Sequence, residues 1–224
     1  MSGGRAPLDL TLYLVTDTAM CAPRGVVATA VEAAQAGVSL VQLRDPDATD
    51  DDLVVLGRQL VAALRGSGVP VLVNDRVHLV AAIGAAGAHV GQGDLDVPAA
   101  RRLLGREAYL GLSVQTEQQL RAAQEYGADA VDYLGVGPVW ATATKADAAT
   151  PGGAERLARI VSLSPWPCVA IGGIGASRLP ALRRTQVSGI AVVSAICGQP
   201  DIAAATGALR AAWGRPAERA TLRR

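Results

Sequence analysis

Short apolar runs rich in β-branched residues alternate along the chain with Ala- and Leu-rich stretches whose apolar positions recur at helical spacing. The runs fall at 11–17, 38–44, 69–75, 88–92, 108–114, 131–139, 168–174 and 189–195. The helical stretches fall at 24–36, 50–65, 76–86, 97–104, 116–126, 153–162, 176–184 and 201–213. Strands that are apolar throughout belong in a parallel sheet covered by helices. Gly37, Gly66, Gly87, Gly105 and Gly127 each follow a helical stretch, where a left-handed C-cap residue is expected. Asp50 and Thr116 stand where N-caps are expected. Eight strand–helix units in 224 residues predict an α/β fold, a single (β/α)8 TIM barrel domain, with residues 1–9 and 215–224 as flexible ends. A doubly wound open sheet is the main competitor. It would place a glycine-rich loop after the first strand, where this chain has Thr16-Asp17-Thr18.

Composition narrows the function classes. Half the chain is apolar, without a single Phe, and the formal net charge is +1. A nucleic-acid or membrane footprint needs a large basic excess, so neither partner is expected. No apolar run reaches the length of a membrane span or secretion signal. Three cysteines, Cys21, Cys168 and Cys197, fit no metal spacing and suit a reducing cytoplasm. A homo-oligomer is compatible with all of this.

Polar residues collect at the C-terminal ends of the strands: Asp17; Gln42 and Arg44; Asn74 and Asp75; Gln92 and Asp94; Ser113 and Gln115; Thr142, Thr144 and Lys145; Gly172 and Gly173; and Ser194. In a barrel that rim is the catalytic face, and a packed core gives no reason for Arg44 or Asn74 to end a buried strand. Asp75 fits either a helix cap or a ligand, and Asp96 fits the next cap better than Asp94. Asp75 and Asp94 follow neighbouring strands, roughly 4.8 Å apart, where two carboxylates repel unless a cation lies between them. Oxygen-only donors suit Mg2+ shared with a phosphate ligand. His78 reads as a helix-face residue and His89 as a strand residue, neither with a catalytic role. Gly172-Gly173 and Val193-Ser194 stand where barrels build a phosphate cup from backbone N–H groups; a tight strand end is the structural alternative. Lys145 is the only lysine in the chain. Its compact charge on a flexible stem suits a mobile loop able to act as a lid, with Ala141, Ala143, Gly152 and Gly153 keeping the segment small.

The segments YLVTD, QLRD, NDR, HVGQGD, GLS, YLGVGPVWATATK, VAIGGI and AVVSAI occur in this order across nearly the whole chain. Together they resemble the thiamine-phosphate synthase family, the GPxxxTxTK loop being the most specific element. The resemblance implies a transferase that joins 4-amino-2-methyl-5-(diphosphooxymethyl)pyrimidine to a thiazole ethyl phosphate, releasing pyrophosphate and thiamine phosphate by a dissociative, Mg2+-assisted displacement. It implies that Gln42, Arg44, Asn74, Ser113 and Lys145 hold the pyrimidine diphosphate, with Arg44, Ser113 and Lys145 as catalytic residues. Asp75 and Asp94 would hold Mg2+, and Thr142, Thr144, Gly173, Val193 and Ser194 the thiazole phosphate.

Two departures stand out. Pro46 occupies a position where the family commonly has a lysine, and Gln115 one where relatives often carry a histidine. Arg76 is a candidate replacement for the missing charge. Three rivals differ in chemistry. A thiazole tautomerase would lack the TxTK loop and use the histidine. A sugar- or indole-phosphate isomerase would need an acid–base pair on the rim. A silent phosphometabolite binder would bind without turnover.

Overall fold

The computed structural model describes residues 6–142, 144 and 150–214. Eight parallel strands close into a barrel in chain order: β1 (Leu12–Val15), β2 (Leu40–Leu43), β3 (Val71–Asn74), β4 (Gly87–Val90), β5 (Tyr109–Val114), β6 (Tyr133–Val136), β7 (Cys168–Ile171) and β8 (Gly189–Val192). Each expected strand is present. The helices are α1 (Thr18–Cys21), α2 (Val26–Gln35), α3 (Asp50–Leu64), α4 (Val80–Ile83), α5 (Val97–Leu104), α6 (Glu117–Glu125), α7 (Gly153–Leu163), α8 (Leu179–Arg183) and α9 (Ile202–Trp213). α1 was not foreseen; Asp17 starts it by accepting a hydrogen bond from Met20 N at 2.9 Å. The stretches expected as helices at 76–86 and 176–184 each open with a 3-10 turn, Val77–Leu79 and Ala176–Arg178, and continue as one short α-helix.

Several caps differ from expectation. Thr49, not Asp50, caps α3, accepting from Asp52 N at 3.2 Å. Asp50 lies in the first turn beside Asp51 and Asp52, where the helix dipole favours acids. Its carboxylate takes Arg76 Nη1 at 3.2 Å and His78 Nε2 at 2.7 Å, contacts that hold its pKa below the ordinary carboxylate value. Thr116 and Gln119 form a full capping box on α6. Gly37, Gly105 and Gly127 adopt positive φ as expected, whereas Gly87 lies inside β4 and Gly84 takes the left-handed cap. Gly66 also lacks the expected positive φ; Gly68 has it instead.

Two apolar layers hold the barrel. The larger joins strand faces to helix faces, with Leu12, Leu14, Val41, Val73, Leu110, Leu134 and Trp213 among its buried members. The smaller lies inside the barrel and includes Leu10, Tyr13, Leu40, Leu72, Tyr133 and Val169. Leu8 packs against the inner layer, and the Ala6 carbonyl accepts from Tyr109 Oη at 2.5 Å. Residues 1–5 and 215–224 lie outside the described residues.

Candidate active site

A cleft of about 200 Å³ opens at the C-terminal ends of the strands. Gln42, Arg44, Asn74, Asp75, Ser113, Thr142, Thr144, Gly173, Val193 and Ser194 all line it. Residues separated by more than 150 positions thus meet in one pocket, because closure of the barrel brings every strand end to one rim. Gln92 and Gln115 line it too. Lys145 lies outside the described residues.

Arg44 is the only cationic side chain lining the cleft among the described residues. It is pinned at its backbone by Thr16 Oγ1, which accepts from Arg44 N at 2.9 Å, and its guanidinium stands 4.0 Å from the Asp17 carboxylate. Arg76 does not replace the charge lost at Pro46. Its Nη1 pairs with Asp50, and its Nη2 donates to the Pro46 carbonyl at 3.3 Å, so it braces the loop after β2 instead of lining the cleft.

Asp75 directly follows β3 with φ of 58°, a left-handed conformation that costs a non-glycine residue energy and often marks a functional position. Arg76, not Asp75, stands at the N-cap position of the turn that follows. The Asp75 Oδ2 accepts from Asn74 Nδ2 at 2.6 Å, and the Asp75 N–H donates to the His89 carbonyl at 2.8 Å. Asp94 is displaced from where strand spacing put it. β4 ends at Val90, and Asp94 sits exposed in the loop, its Oδ2 folded back onto Gly91 N at 2.7 Å. Gly91 lines the cleft, so this carboxylate stands at the margin. Asp96 caps α5 through Ala99 N at 2.7 Å. No cluster of three or more His, Cys, Asp or Glu suited to a metal exists among the described residues. Asp75 in the cleft and Asp94 at its margin offer carboxylate oxygens, which suit a hard cation that completes its shell with water and a phosphate ligand.

The opposite side of the cleft is built from main chain. The Gly172 carbonyl accepts from Trp140 N at 3.1 Å, and the Gly173 carbonyl accepts from Arg178 Nη1. In a planar trans peptide the following N–H points the other way. The N–H groups of Gly173 and Ile174 therefore face away from Trp140 and Arg178, and both residues line the cleft. The Arg178 guanidinium lies 5.0 Å from the Trp140 ring centroid, a cation–π contact that fixes both anchors. Gly173 has φ of 63°, and a Cβ there would run into the Ala141 carbonyl, Arg178 and Trp140. Thr142 Oγ1 and Thr144 Oγ1 are 3.0 Å apart at the start of the loop that follows β6. Its stem is closed by Gly152 N to the Pro138 carbonyl and Gly153 N to the Val139 carbonyl, both 2.9 Å.

The sequence reading missed the floor. Tyr13, His89 and Tyr133 point into the barrel and are joined by hydrogen bonds to Gln42 and Ser113. Gln42 Nε2 donates to Tyr13 Oη at 2.6 Å, and Tyr13 Oη lies 2.9 Å from Tyr133 Oη. Tyr133 Oη lies 2.8 Å from His89 Nδ1, and His89 Nε2 lies 2.9 Å from Ser113 Oγ. Burial raises the pKa of both phenols above the ordinary value. Gly111 makes the room: a Cβ there would overlap the Tyr133 ring and His89 Nδ1. Cys21, Cys168 and Cys197 are free and buried away from this chemistry.

A closed parallel barrel whose rim combines a backbone anion cup, an arginine and paired acid and amide side chains is a barrel built for phosphorylated small molecules. The same fold recurs in a 3-hexulose-6-phosphate synthase at 19% identity and a TM-score of 0.66. The family model described as thiamine monophosphate synthase matches residues 12–196, and the chain belongs to that family. A thiamine-phosphate synthase of Azorhizobium caulinodans is 46% identical over 204 residues, which are 91% of this chain and 95% of that protein. One from a Psychrobacter species is 47% identical over 192 residues, 86% of this chain and 90% of that protein. Among solved structures, a thiamine phosphate pyrophosphorylase from Pyrococcus furiosus superposes with a TM-score of 0.82 at 30% identity, covering 92% of this chain and 96% of that one.

Proposed function

We propose that this chain carries out its family's reaction, the transfer of an aminopyrimidine methyl group from diphosphate to the nitrogen of a thiazole phosphate. The observation that carries the reading is the single cleft in which Gln42, Arg44, Asn74, Asp75 and Ser113 face the Gly172–Ile174 cup. Two anionic substrates need two anion sites, and the side chains of the cleft suit one and its Gly172–Ile174 backbone the other. Gln42 and Ser113 orient the pyrimidine ring, Arg44, Asn74 and Lys145 take the diphosphate, and the cup with Thr142, Thr144, Val193 and Ser194 takes the thiazole phosphate.

The bond to diphosphate breaks heterolytically, so the site must neutralise charge on the departing oxygens and need not shuttle many protons. Arg44 provides a fixed cation, and Lys145 would provide a second. Asp75 and Asp94 would hold Mg2+, which when bound supplies further neutralisation of the leaving group. Without a lysine at Pro46, these are the cations on which the leaving group depends. No helix of the described residues is long and apolar enough to cross a membrane, and the buried free thiols fit a cytoplasmic enzyme.

Incubating the purified chain with both substrates and Mg2+ tests the reading. Pyrophosphate and thiamine phosphate should form in equal amounts, stop on chelation and resume when Mg2+ is returned. A ligand-dependent thermal shift without product would make the chain a binder and overturn it.

A further inference from the structure

The floor of the cleft carries a direction as well as a shape. Gln42 donates an amide hydrogen to Tyr13 Oη. A phenol has a single O–H, and the acceptor within reach of Tyr13's is Tyr133 Oη, 2.9 Å away. Tyr133 then directs its hydrogen to His89 Nδ1, 2.8 Å away. A neutral imidazole that accepts at Nδ1 carries its proton on Nε2, which faces Ser113 Oγ at 2.9 Å. Ser113 Oγ, already accepting, has its own hydrogen left for the cleft that it lines.

We infer that Gln42, Tyr13, Tyr133, His89 and Ser113 form a one-way hydrogen-bond relay in which neutral His89, a positioning residue, holds the Ser113 hydroxyl as a donor to the ligand while Gln42 offers its carbonyl oxygen. The two ends are coupled. Turning Gln42 over would reverse every link, leaving Ser113 an acceptor and Gln42 a donor. A relay reversed only in part sets two donors or two acceptors face to face in a dry interior, at the cost of an unmade buried hydrogen bond. Burial, which keeps both phenols protonated, favours their acting as single donors. Each member comes from a different strand, β2, β1, β6, β4 and β5. The barrel thus supplies the coupling, and no local motif does.

The ligand chosen by such a pocket presents an acceptor to Ser113 and a donor to Gln42. An aminopyrimidine carries both, in its ring nitrogens and exocyclic amine. An oxopyrimidine reverses the pattern with a carbonyl and a ring N–H. The relay is thereby a device for preferring amino over oxo rings; the identity of the ring rests on the proposed function, the direction of the relay does not.

Nitrogen-15 NMR of the unliganded full chain reads the direction. The chain has two histidines, and a His78→Gln spectrum assigns the other. His89 should be protonated at Nε2 and bare at Nδ1; the opposite tautomer, or an imidazolium, overturns the proposal. Competitive inhibition by matched amino- and oxopyrimidine methyl diphosphates reads the consequence. Tyr133→Phe should shrink the wild-type preference for the amino ring by tenfold or more and leave KM for the thiazole phosphate in place. Tyr13→Phe makes the same cut one link away should Tyr133→Phe not fold. His89→Gln, which keeps one acceptor and one donor, should retain more of the preference than His89→Leu. An unchanged preference in the phenylalanine variants overturns the relay. Absence of thiamine phosphate from the wild type would instead overturn the proposed function, and the tautomer would still decide the relay.

Discussion

The two sides of the cleft recognise their ligands by different means. The floor, from β1 to β6, uses side chains locked to one another, Gln42 through Ser113. The cup, after β7, uses peptide groups whose carbonyls are pulled back by Trp140 and Arg178. A side-chain relay can distinguish donor from acceptor and so read a ring. A backbone nest offers donors alone and reads an anion by charge and fit. The difference predicts different fragilities: the floor fails when an oxygen is removed, the cup when a carbon is added.

The largest effect should come from Lys145, the one lysine of the chain. Lys145→Ala removes a cation from the leaving group, and losing one such stabilising contact typically costs about 10²–10³ in turnover. The far-ultraviolet circular dichroism should stay that of the wild type. Near-normal steady-state rates would show that Arg44 and the metal suffice, and would remove the loop from the chemistry.

Next comes Gly173→Ala. The added carbon meets the Ala141 carbonyl, Arg178 and Trp140 at a backbone φ of 63°. Strain of about 1–3 kcal/mol corresponds to roughly 5–150-fold in binding. It should appear as a raised KM for the thiazole phosphate, with the pyrimidine KM little changed. Equal increases in both constants would mean that the two sides are not separable.

Arg178→Met leaves the cup its glycines and removes the anchor of the Gly173 carbonyl together with the cation–π contact to Trp140. A hydrogen bond to a charged group is worth about 1.5–3 kcal/mol, and the peptide keeps its Trp140 tether next door. An increase of about tenfold in the thiazole phosphate KM is therefore the upper end of the expectation. No change would show that the Trp140 contact alone orients the nest.

How well each side could be read from the chain follows from the same contrast. The eight strands were legible because a strand buried on both faces is apolar throughout, and the rim because a packed core gives Arg44 and Asn74 no reason to stand at strand ends. The place of Gly172-Gly173 at the cleft was legible from the strand end they close, but Arg178, which holds the Gly173 carbonyl, sits in a turn of ordinary composition. The floor was illegible for a tertiary reason. Tyr13, His89 and Tyr133 lie mid-strand, where an aromatic residue looks like any core residue. What joins them is sheet register, Asn74 opposite His89 and His89 opposite Gly111, which closure of the barrel sets. Gly111 and Gly135 were the available hint, since glycines inside a strand mark a close approach, here to His89. Asp94 was misplaced because strand spacing was carried into a loop.

The smallest effect lies on the floor and is visible only in alkali. Burial raises the pKa of Tyr13 and Tyr133 in the folded state. Below about pH 10 both phenols are neutral whether the chain is folded or not, and pH has no purchase on them. Above it the unfolded chain loses these protons while the folded chain keeps them. The unfolded state then binds fewer protons, and stability falls as pH rises, by roughly 1 kcal/mol per pH unit for each phenol. The stability conferred by the buried phenols is thus fully present at neutral pH and lost progressively above pH ~10, until the folded-state values are reached. Urea unfolding followed by circular dichroism between about pH 9 and pH 11 should show a midpoint that declines with a measurable slope. Tyr133→Phe, starting from lower stability at neutral pH because it breaks the relay, should decline less steeply, and the Tyr13→Phe, Tyr133→Phe double variant less steeply again. Parallel slopes in all three proteins would mean that these phenols already reach solvent in the folded barrel, and with that the dry floor on which the relay depends would be gone.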